Sequence, residues 1–485
     1  MARGPGSSLG LLRNPAQLVI MNQAKFLTGN LFRHVTVMSL TSSVGLMAVF
    51  AVDFVDMIFI SMLGKAELAA AVGYAGAILF FTTSFNIGVA IAAGALVARA
   101  LGSGDQELAR QRASNALLAG TIFAVLFSLV VWQFLDPLVT LIGAKEPAHE
   151  FAVDYLAIVV PTLPFLLLGM AGGAVLRAHG NAKWAMFATV FGGLVNAVLD
   201  PILIFGFGLE LTGAALSSAA ARVAIAASAL YPIFRFHGGL AFPRLPDFIR
   251  DLPPIAAIAF PAILTQLATP VGQAFVTRWM AGFGEDAVAG MAIVARMTPV
   301  AFGTIFALSG AVGPIVGQNC GAGQFDRVRR TLADALLFTG LFVLGMTALL
   351  FVLRQPIADL FEADGIALTL IYLFCGPLAL AFFFNGALFV SNACFNNLGR
   401  PFYSTWLNWG RHTLGTIPFV WLGAMLYGAP GVLIGQALGG ILFGVAAVVL
   451  ARWTIRDVEL HGGAPKGPGI FQRQARQVIL FFARR

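Results

Sequence analysis

The chain has 485 residues, of which 59% are apolar and only 11% are charged, and its formal net charge is +8. Soluble domains carry about 25% charged residues. A membrane-spanning helix needs roughly 20 apolar residues, so this composition provides for about a dozen spans and leaves little for a soluble domain. The chain is therefore predicted to be an all-α polytopic membrane protein. This excludes cytosolic enzymes, nucleic-acid-binding proteins and disordered chains.

The cysteines and the N-terminal residues indicate neither cross-linking nor processing. Cys320, Cys375 and Cys394 fall in apolar stretches, and their spacing fits neither a disulfide framework nor a zinc site. Packing as small apolar residues is the interpretation for all three. Residues 1–17 lack the continuous apolar segment and cleavage site of a signal peptide, so we expect the first span to act as the insertion signal.

Twelve apolar stretches separated by short polar breaks predict twelve spans in two six-helix lobes. The predicted spans are 34–62, 68–98, 113–135, 151–175, 184–206, 212–235, 253–281, 287–316, 331–353, 366–392, 402–425 and 430–453. They divide the chain into an N-terminal segment (1–33), an N-lobe (34–235), a connector (236–252), a C-lobe (253–453) and a basic tail (454–485). An even number of spans places both termini on the same side of the membrane.

The basic residues indicate which side that is. With both termini in the cytoplasm, 23 of the 30 Lys and Arg fall in cytoplasmic segments and 4 in outer loops, as the positive-inside rule predicts. The other three, Arg222, Arg296 and Arg411, lie within spans. We expect a protein of the inner or plasma membrane, and no nucleic-acid partner is needed to explain the net charge. Residues 467–485 are interpreted either as an amphipathic helix on the anionic cytoplasmic leaflet or as a disordered basic tail.

The two halves of the chain resemble each other at a constant offset. The segment ALVARALGSGDQELARQRASNALL (95–118) aligns with PIVGQNCGAGQFDRVRRTLADALL (314–337) at an offset of 219 residues. LRAHGNA around Gly180 aligns with FNNLGRP around Gly399 at the same offset. Because each half holds an even number of spans, both halves insert the same way up and are related by an axis along the membrane normal. Two parallel repeats around a central cavity are typical of transporters.

The sequence offers no site for a nucleotide or a cofactor. The phosphate-binding pattern G-x-x-x-x-G-K-[ST] does not occur, so transport is predicted to be secondary, with no nucleotide partner. Of six histidines only His412 lies well inside a span, and it has no nearby carboxylate in the sequence. We therefore predict no resident metal, no cofactor and no catalytic site, and the protein is not expected to be an enzyme.

Acidic residues at membrane depth mark the candidate coupling site, because inserting each one costs about 2.5–3.5 kcal/mol. The acids in question are Asp53, Asp56, Asp200 and Asp334. Asp56 and Asp200 lie toward the same end of spans 1 and 5, and Asn196 lies one turn before Asp200 on the same face. A carboxylate shielded from water there could exchange a proton near neutral pH, and the same oxygens could instead hold Na⁺. The plainer alternative is that Asp200, which precedes a proline, only ends the helix at the interface.

Five segments carry a family resemblance. They are VDMIFISMLGKAELAAAVG (55–73), VARALGSGDQELAR (97–110), LRAHGNA (176–182), NAVLDPILIFGFGLELTGAALSS (196–218) and VGQNCGAG (316–323). In this order, and in both halves, they resemble the multidrug and toxic compound extrusion (MATE) family, and its DinF-like branch most. The resemblance implies two lobes that form a V, and efflux of organic cations or related amphiphiles by proton or sodium antiport.

The resemblance also implies roles for individual residues. Asp56 matches the family's helix 1 aspartate, Asn196 and Asp200 match the helix 5 pair, and Ser218 matches a hydroxyl position in helix 6. Asp53 is an additional acid on nearly the same face as Asp56. Asp56, Asn196, Asp200 and Ser218 are expected to form the coupling site, with Asp53 and Arg222 as candidate neighbours of it, and with H⁺ as the expected ion and Na⁺ as the alternative.

The chain departs from the family at several positions. Where some relatives carry acids in helices 7 and 10, this chain has Thr269 and Asn385, so coupling through the C-lobe is not expected. An asparagine often found in helix 4 is replaced by Gly172 or Gly173. Arg222, one turn beyond the helix 6 hydroxyl, is predicted to pair with a carboxylate of the N-lobe for part of the cycle. Its alternatives are pairing with backbone carbonyls or a position at the lipid boundary.

The predicted function is secondary active efflux of cationic or amphiphilic compounds by antiport with protons. The partners expected are small organic cations or amphiphiles and the lipid bilayer, and the protein is expected to be a monomer. The alternative within transport is a lipid-linked precursor flippase of the same superfamily, which would favour an arginine-rich cavity to hold a pyrophosphate. A receptor or scaffold without transport would give no reason for the acid cluster.

Overall fold

The computed structural model describes residues 24–461, and all regular secondary structure in that range is helical. The first ten spans are Leu31–Met62, Ala66–Gly102, Gln106–Gln133, Ala148–Ala178, Ala182–Gly206, Glu210–Phe236, Leu245–Ala281, Glu285–Gly321, Phe325–Leu360 and Gly365–Asn397. A short helix, Leu135–Ile142, precedes span 4. The predicted amphipathic tail at 467–485 lies outside the described residues.

Two further spans lie within the final helical run, Phe402–Leu460. Its helices are Phe402–His412 and Ile417–Leu460, and Gly428 interrupts the second with non-helical angles (φ 63°, ψ −140°). The backbones on either side of this break approach each other closely at three places. A Cβ added to Gly423 would lie 2.1 Å from the Gly431 carbonyl oxygen. One added to Gly435 would lie 2.3 Å from the Phe419 carbonyl oxygen, and one added to Gly439 would lie 1.9 Å from the Gly415 carbonyl oxygen. In each pair, one residue precedes residue 427 by as many positions as the other follows it, which is the pattern of an antiparallel hairpin. Spans 11 and 12 therefore meet at this turn, and the prediction of twelve spans in two lobes is confirmed.

Span 7 begins earlier than the sequence predicts. Its helix starts at Leu245 rather than at 253, so the predicted connector 236–252 is reduced to a loop between Phe236 and Leu245. The extra turns are polar, but Asp251 is buried and accepts a hydrogen bond from Asn115 Nδ2 of span 3 at 2.8 Å. Hydropathy alone could not predict these turns because a contact with another span stabilises them.

Spans 2 and 8 meet at their C-terminal ends, and their contacts there repeat with the offset found in the sequence. A Cβ added to Gly102 would lie 2.0 Å from the Gln318 carbonyl oxygen, and one added to Gly321 would lie 2.1 Å from the Arg99 carbonyl oxygen. Residues 102 and 321, and residues 99 and 318, are each 219 apart. The two contacts are therefore equivalent under exchange of the lobes, as a two-fold axis requires.

Two hydrogen bonds between the lobes are related by the same offset of 219 residues. Arg99 Nε donates to the Asn397 carbonyl at 2.6 Å, and Gln318 Nε2 donates to the Ala178 carbonyl at 2.7 Å. Residues 178 and 397 also differ by 219. We call the end of the molecule that carries these four residues the closed end, because both lobes are joined there.

The segment before span 1 lies against both lobes at the closed end. Phe26 is fully buried, and its backbone N–H donates to Gln318 Oε1 at 2.8 Å. Its carbonyl accepts from Asn319 Nδ2 at 3.2 Å and from Arg327 Nη2 at 2.8 Å, all on the C-lobe side. Lys25 Nζ donates to the Gly180 carbonyl of the N-lobe at 2.7 Å. The segment therefore adds a second set of contacts between the lobes.

The lobes diverge from the closed end toward the opposite end, which we call the open end. In span 8 most residues from Ala301 to Asn319 are buried, whereas Arg296 and Val300 are exposed. In span 1 the exposed residues include Asp53 and Phe54, well beyond the buried N-terminal turns. Two lobes joined at one end form the V that the family resemblance implies.

We predict that Gly102→Val and Gly321→Val each lower the midpoint of thermal unfolding of the purified protein. The new side chains would meet backbone atoms that cannot rotate away, and overpacking of this kind costs about 1–3 kcal/mol. Gly73→Val is the matched control, since Gly73 lies in span 2 with nothing within 4 Å of an added Cβ. Equal midpoints for all three variants would contradict this description of the closed end.

Candidate functional site

A break in span 5 positions the central carboxylate of the N-lobe. Asp200 is fully buried and is followed by Pro201 and a π-helical turn, Ile202–Gly206. Proline has no N–H for the helical ladder, and π turns often occur at functional sites. Span 6 packs closely against this turn, since a Cβ on Gly213 would lie 2.7 Å from the Leu203 carbonyl carbon. The break and the close approach together bring span 6 to Asp200.

The Asp200 carboxylate is hydrogen-bonded through a serine of span 6. Asn196 Nδ2 donates to Ser217 Oγ at 3.1 Å, and Ser217 Oγ donates to Asp200 Oδ1. Asn196 and Asp200 face the same partner because a spacing of four residues places them on one side of the helix. All three side chains are buried, so their polar atoms depend on one another.

Span 1 brings a second carboxylate to the same place. The side chains of Asp56 and Asp200 lie within hydrogen-bonding reach of each other, and Asp53 lies near enough to interact electrostatically with Asp56. Within residues 24–461, Asp56 Oδ1 and Asp200 Oδ2 are buried oxygens that no group donates to. Two such oxygens require either a donor or a cation, and one proton held between the carboxyl groups would satisfy both atoms. Asp53 is exposed at the edge of this cluster.

The serine that contacts Asp200 is Ser217, not the predicted Ser218. Ser218 instead lies near Tyr155 of span 4. Consecutive residues of a helix point about 100° apart, so only one of two adjacent serines can face span 5. The sequence alone gave no means of choosing between them. Tyr155 itself was missed, and its only sequence signal is a phenol next to Asp154 in a mainly apolar span.

Arg222 is bound to span 4 and not to a carboxylate. Its Nη1 donates to the Val159 carbonyl at 2.8 Å and to Thr162 Oγ1 at 3.0 Å. Pro161 lies in the 3₁₀ turn Val160–Thr162, where the Thr162 hydroxyl also donates to the Val159 carbonyl at 2.7 Å, so Arg222 joins a hydrogen bond that this turn already makes. This arrangement agrees with the alternative of pairing with backbone carbonyls. Pairing of Arg222 with an N-lobe carboxylate at another step of the cycle stays a prediction.

The other acidic and family positions lie apart from this cluster. Asp334 is near Arg330 and the Phe32 backbone at the start of span 1. In the C-lobe, Thr269 is exposed and Asn385 carries a buried oxygen without a donor among the described residues. No group of three or more His, Cys, Asp or Glu side chains suited to a metal ion occurs between residues 24 and 461.

Twelve spans in two repeated lobes, with a polar cluster buried inside one of them, define a multispan membrane transporter. The MatE family model matches residues 42–202 and 261–422, so the chain belongs to the MatE family. The second matched segment begins 219 residues after the first, the offset of the internal repeat. The chain is accordingly a transporter and not an enzyme.

Curated and solved relatives agree with this assignment. The chain is 29% identical to a protein of Shewanella oneidensis named FAD transporter, over 91% of this chain and 96% of that protein. It is 23% identical to the multidrug export protein MepA of Staphylococcus aureus, over 86% of this chain and 93% of that protein. Among solved structures, the Vibrio cholerae MATE transporter VcmN in its bent form superposes with a TM-score of 0.83 at 26% identity, over 89% of this chain and 98% of that chain.

We predict that Ser217→Ala destabilises the protein by about 1–3 kcal/mol, because it leaves buried polar atoms of Asp200 and Asn196 without a partner. Ser218→Ala is the matched control and should cost less. The loss from Ser217→Ala should shrink in an Asp200→Asn background, where no charge needs the hydroxyl. Thermal unfolding of the four variants measures these differences, and equal losses for the two serines would contradict the assignment of Ser217.

Proposed function

We propose that this transporter exports cationic or amphiphilic organic compounds by antiport with protons, and that Asp56 and Asp200 carry the proton. The observation that supports this most is the contact of the two carboxyl groups, each with a buried oxygen that lacks a donor. A proton fits between such oxygens without further ligands. Na⁺ is the alternative ion, and it would need several oxygen ligands around the same place.

The orientation of the cycle follows from the charge distribution. The predicted cytoplasmic segments include the residues of the closed end, so this conformation corresponds to one open to the outside. In our proposal a proton enters from outside, neutralises the Asp56–Asp200 pair and draws span 1 toward span 5. Loss of the negative charge weakens the attraction for a cationic compound, which leaves outward.

The return step requires the closed end to open. The lobes would then separate where Arg99 and Gln318 now donate across the interface, and the proton would leave to the cytoplasm as a new compound binds. Proton and compound compete through one conformational equilibrium, so each weakens the binding of the other by the same factor. One proton moving through 100 mV supplies about 2.3 kcal/mol, enough for a gradient of roughly fifty-fold of a neutral compound. We further propose a monomer in the inner membrane with both termini cytoplasmic.

We expect ethidium to accumulate in everted vesicles that contain the protein when a pH gradient is imposed in sodium-free buffer. Asp200→Asn should abolish this accumulation, because the amide cannot exchange the proton. Asp334→Asn is the matched control, since it removes one membrane-depth acid outside the cluster, and it should retain accumulation. Dye movement that appears only with added sodium would overturn proton coupling, and loss in both variants would overturn the assignment of the site.

A second candidate function is export of an anionic nucleotide such as FAD, which is what the name of the Shewanella relative states. Arg411 favours it, because this half-buried guanidinium in span 11 has no ion-pair partner among the described residues. It lies just before residues 413–416, where the span leaves the helical conformation. Unwound segments of this kind often border substrate sites in transporters.

The two candidates differ in how they respond to the loss of Arg411. If FAD is the substrate, proteoliposomes should take up FAD with wild-type protein, and Arg411→Gln should reduce that uptake at least about tenfold, as expected for the loss of one buried charge-assisted contact. Ethidium movement should be unaffected by the same change. No FAD uptake by the wild-type protein would rule out this candidate.

A further inference from the structure

A groove at the closed end combines arginine side chains with an apolar floor. It encloses about 370 Å³ and is lined by two spans that meet at the periphery of the C-lobe. Its lining residues are Arg329, Leu332, Ala333 and Leu336 of span 9, and Arg452, Ile455, Arg456 and Glu459 of span 12. None of them belongs to the N-lobe cluster or to the contacts between the lobes.

Each wall of the groove is a single helix face. On both spans the lining residues follow the spacing i, i+3, i+4 and i+7, which keeps them in one row. The two spans run in opposite directions, so Arg329 lies opposite Glu459 and forms an ion pair with it. Arg452 lies seven residues before Glu459, which places it about 10 Å further into the membrane, at the level of Leu336.

The charges of the groove are unevenly paired. Arg329 is shared by Asp326 and Glu459, and nearby Arg400 is paired with Asp457 at 3.0 Å. Across residues 24–461, neither Arg452 nor Arg456 forms an ion pair with a carboxylate. Both side chains are exposed. The groove therefore offers two free guanidinium groups above an apolar floor formed by Leu332 and Ile455, both of which are buried.

Aromatic residues beside the groove mark the membrane boundary. Trp453, the neighbour of Arg452, is 53% exposed, and Trp406 is 58% exposed. Tyr403 lies between them, with ring centroids 6.5 Å from Trp453 and 5.7 Å from Trp406. Tryptophan and tyrosine collect at the depth of lipid headgroups. Arg452 and Arg456 therefore lie where lipid phosphates lie.

We propose that this groove binds one anionic phospholipid, with its phosphate between Arg452 and Arg456 and an acyl chain along Leu332 and Leu336. Guanidinium groups bind phosphate oxygens with charge-assisted hydrogen bonds, and basic pockets between spans bind anionic headgroups. A free phosphate ion would use the arginines but not the apolar floor. The lipid would tie span 9 to span 12 and stabilise the C-lobe, whatever the protein transports.

The test is lipid-dependent thermal unfolding of the full chain purified in detergent. Phosphatidylglycerol should raise the unfolding midpoint with a saturable dependence on lipid, whereas phosphatidylethanolamine and inorganic phosphate should not. In Arg452→Gln/Arg456→Gln the apparent affinity for phosphatidylglycerol should fall about thirtyfold, the combined contribution of two interfacial cations. Arg244→Gln/Arg250→Gln, which removes the same charge from the start of span 7, is the matched control and should keep the wild-type response.

A second variant tests the groove without changing its charge. Ala333→Phe places a ring in the groove at an exposed lining position and should also abolish the response to phosphatidylglycerol. An unchanged response in the double arginine variant would overturn the proposal, and so would an equal response to phosphatidylethanolamine. A midpoint shift produced by inorganic phosphate alone would show a free-anion site and overturn the assignment to lipid.

Discussion

The structure depends on the close approach of spans 2 and 8 at the closed end. Gly102 and Gly321 allow the two backbones to touch, and the side chains of Arg99 and Gln318 then reach carbonyls of the opposite lobe. Burying polar side chains in a membrane protein is costly unless each finds a partner, and here Arg99 Nε and Gln318 Nε2 each donate to a carbonyl at the end of a span. A larger residue at either glycine would remove both the packing and the hydrogen bonds. The V shape follows from this contact between spans 2 and 8, because the lobes are joined at the closed end and separate at the open end.

The contacts between the lobes at the closed end are symmetric, but the polar side chains inside the two lobes are not. Residues related by the offset of 219 make equivalent contacts at the closed end, as expected for a duplicated architecture. In contrast, the cluster of Asp56, Asn196, Asp200 and Ser217 has no acidic counterpart under that offset, because the residues 219 positions after the two acids are Phe275 and Phe419. The closed end must keep the symmetry because both lobes share one interface. The lobe interiors are free to diverge, and within residues 24–461 the paired carboxyl groups lie in the N-lobe interior.

Breaks in the helices place polar groups where regular helices could not place them. Arg222 binds a carbonyl and a hydroxyl at the 3₁₀ turn of span 4, and the π turn of span 5 places Asp200 beside span 6. Each break contains or follows a proline, which cannot donate to the helical ladder. Polar atoms freed in this way must be satisfied inside the protein, because lipid offers them no partner. The need to satisfy buried polar atoms inside the protein therefore concentrates polar groups at a few sites.

The sequence by itself determined the class of fold, the twelve spans, the internal repeat and the acids at membrane depth. These follow from composition, periodicity and the cost of inserting charge, which are properties of each segment alone. Only the tertiary structure decided that Ser217 rather than Ser218 contacts Asp200, that Arg222 binds the Val159 carbonyl, and that span 7 begins at Leu245. The groove beside Arg452 likewise requires two spans that are more than a hundred residues apart in sequence. Such features depend on which face of a helix meets which neighbour, and that is set by the packing of the whole chain.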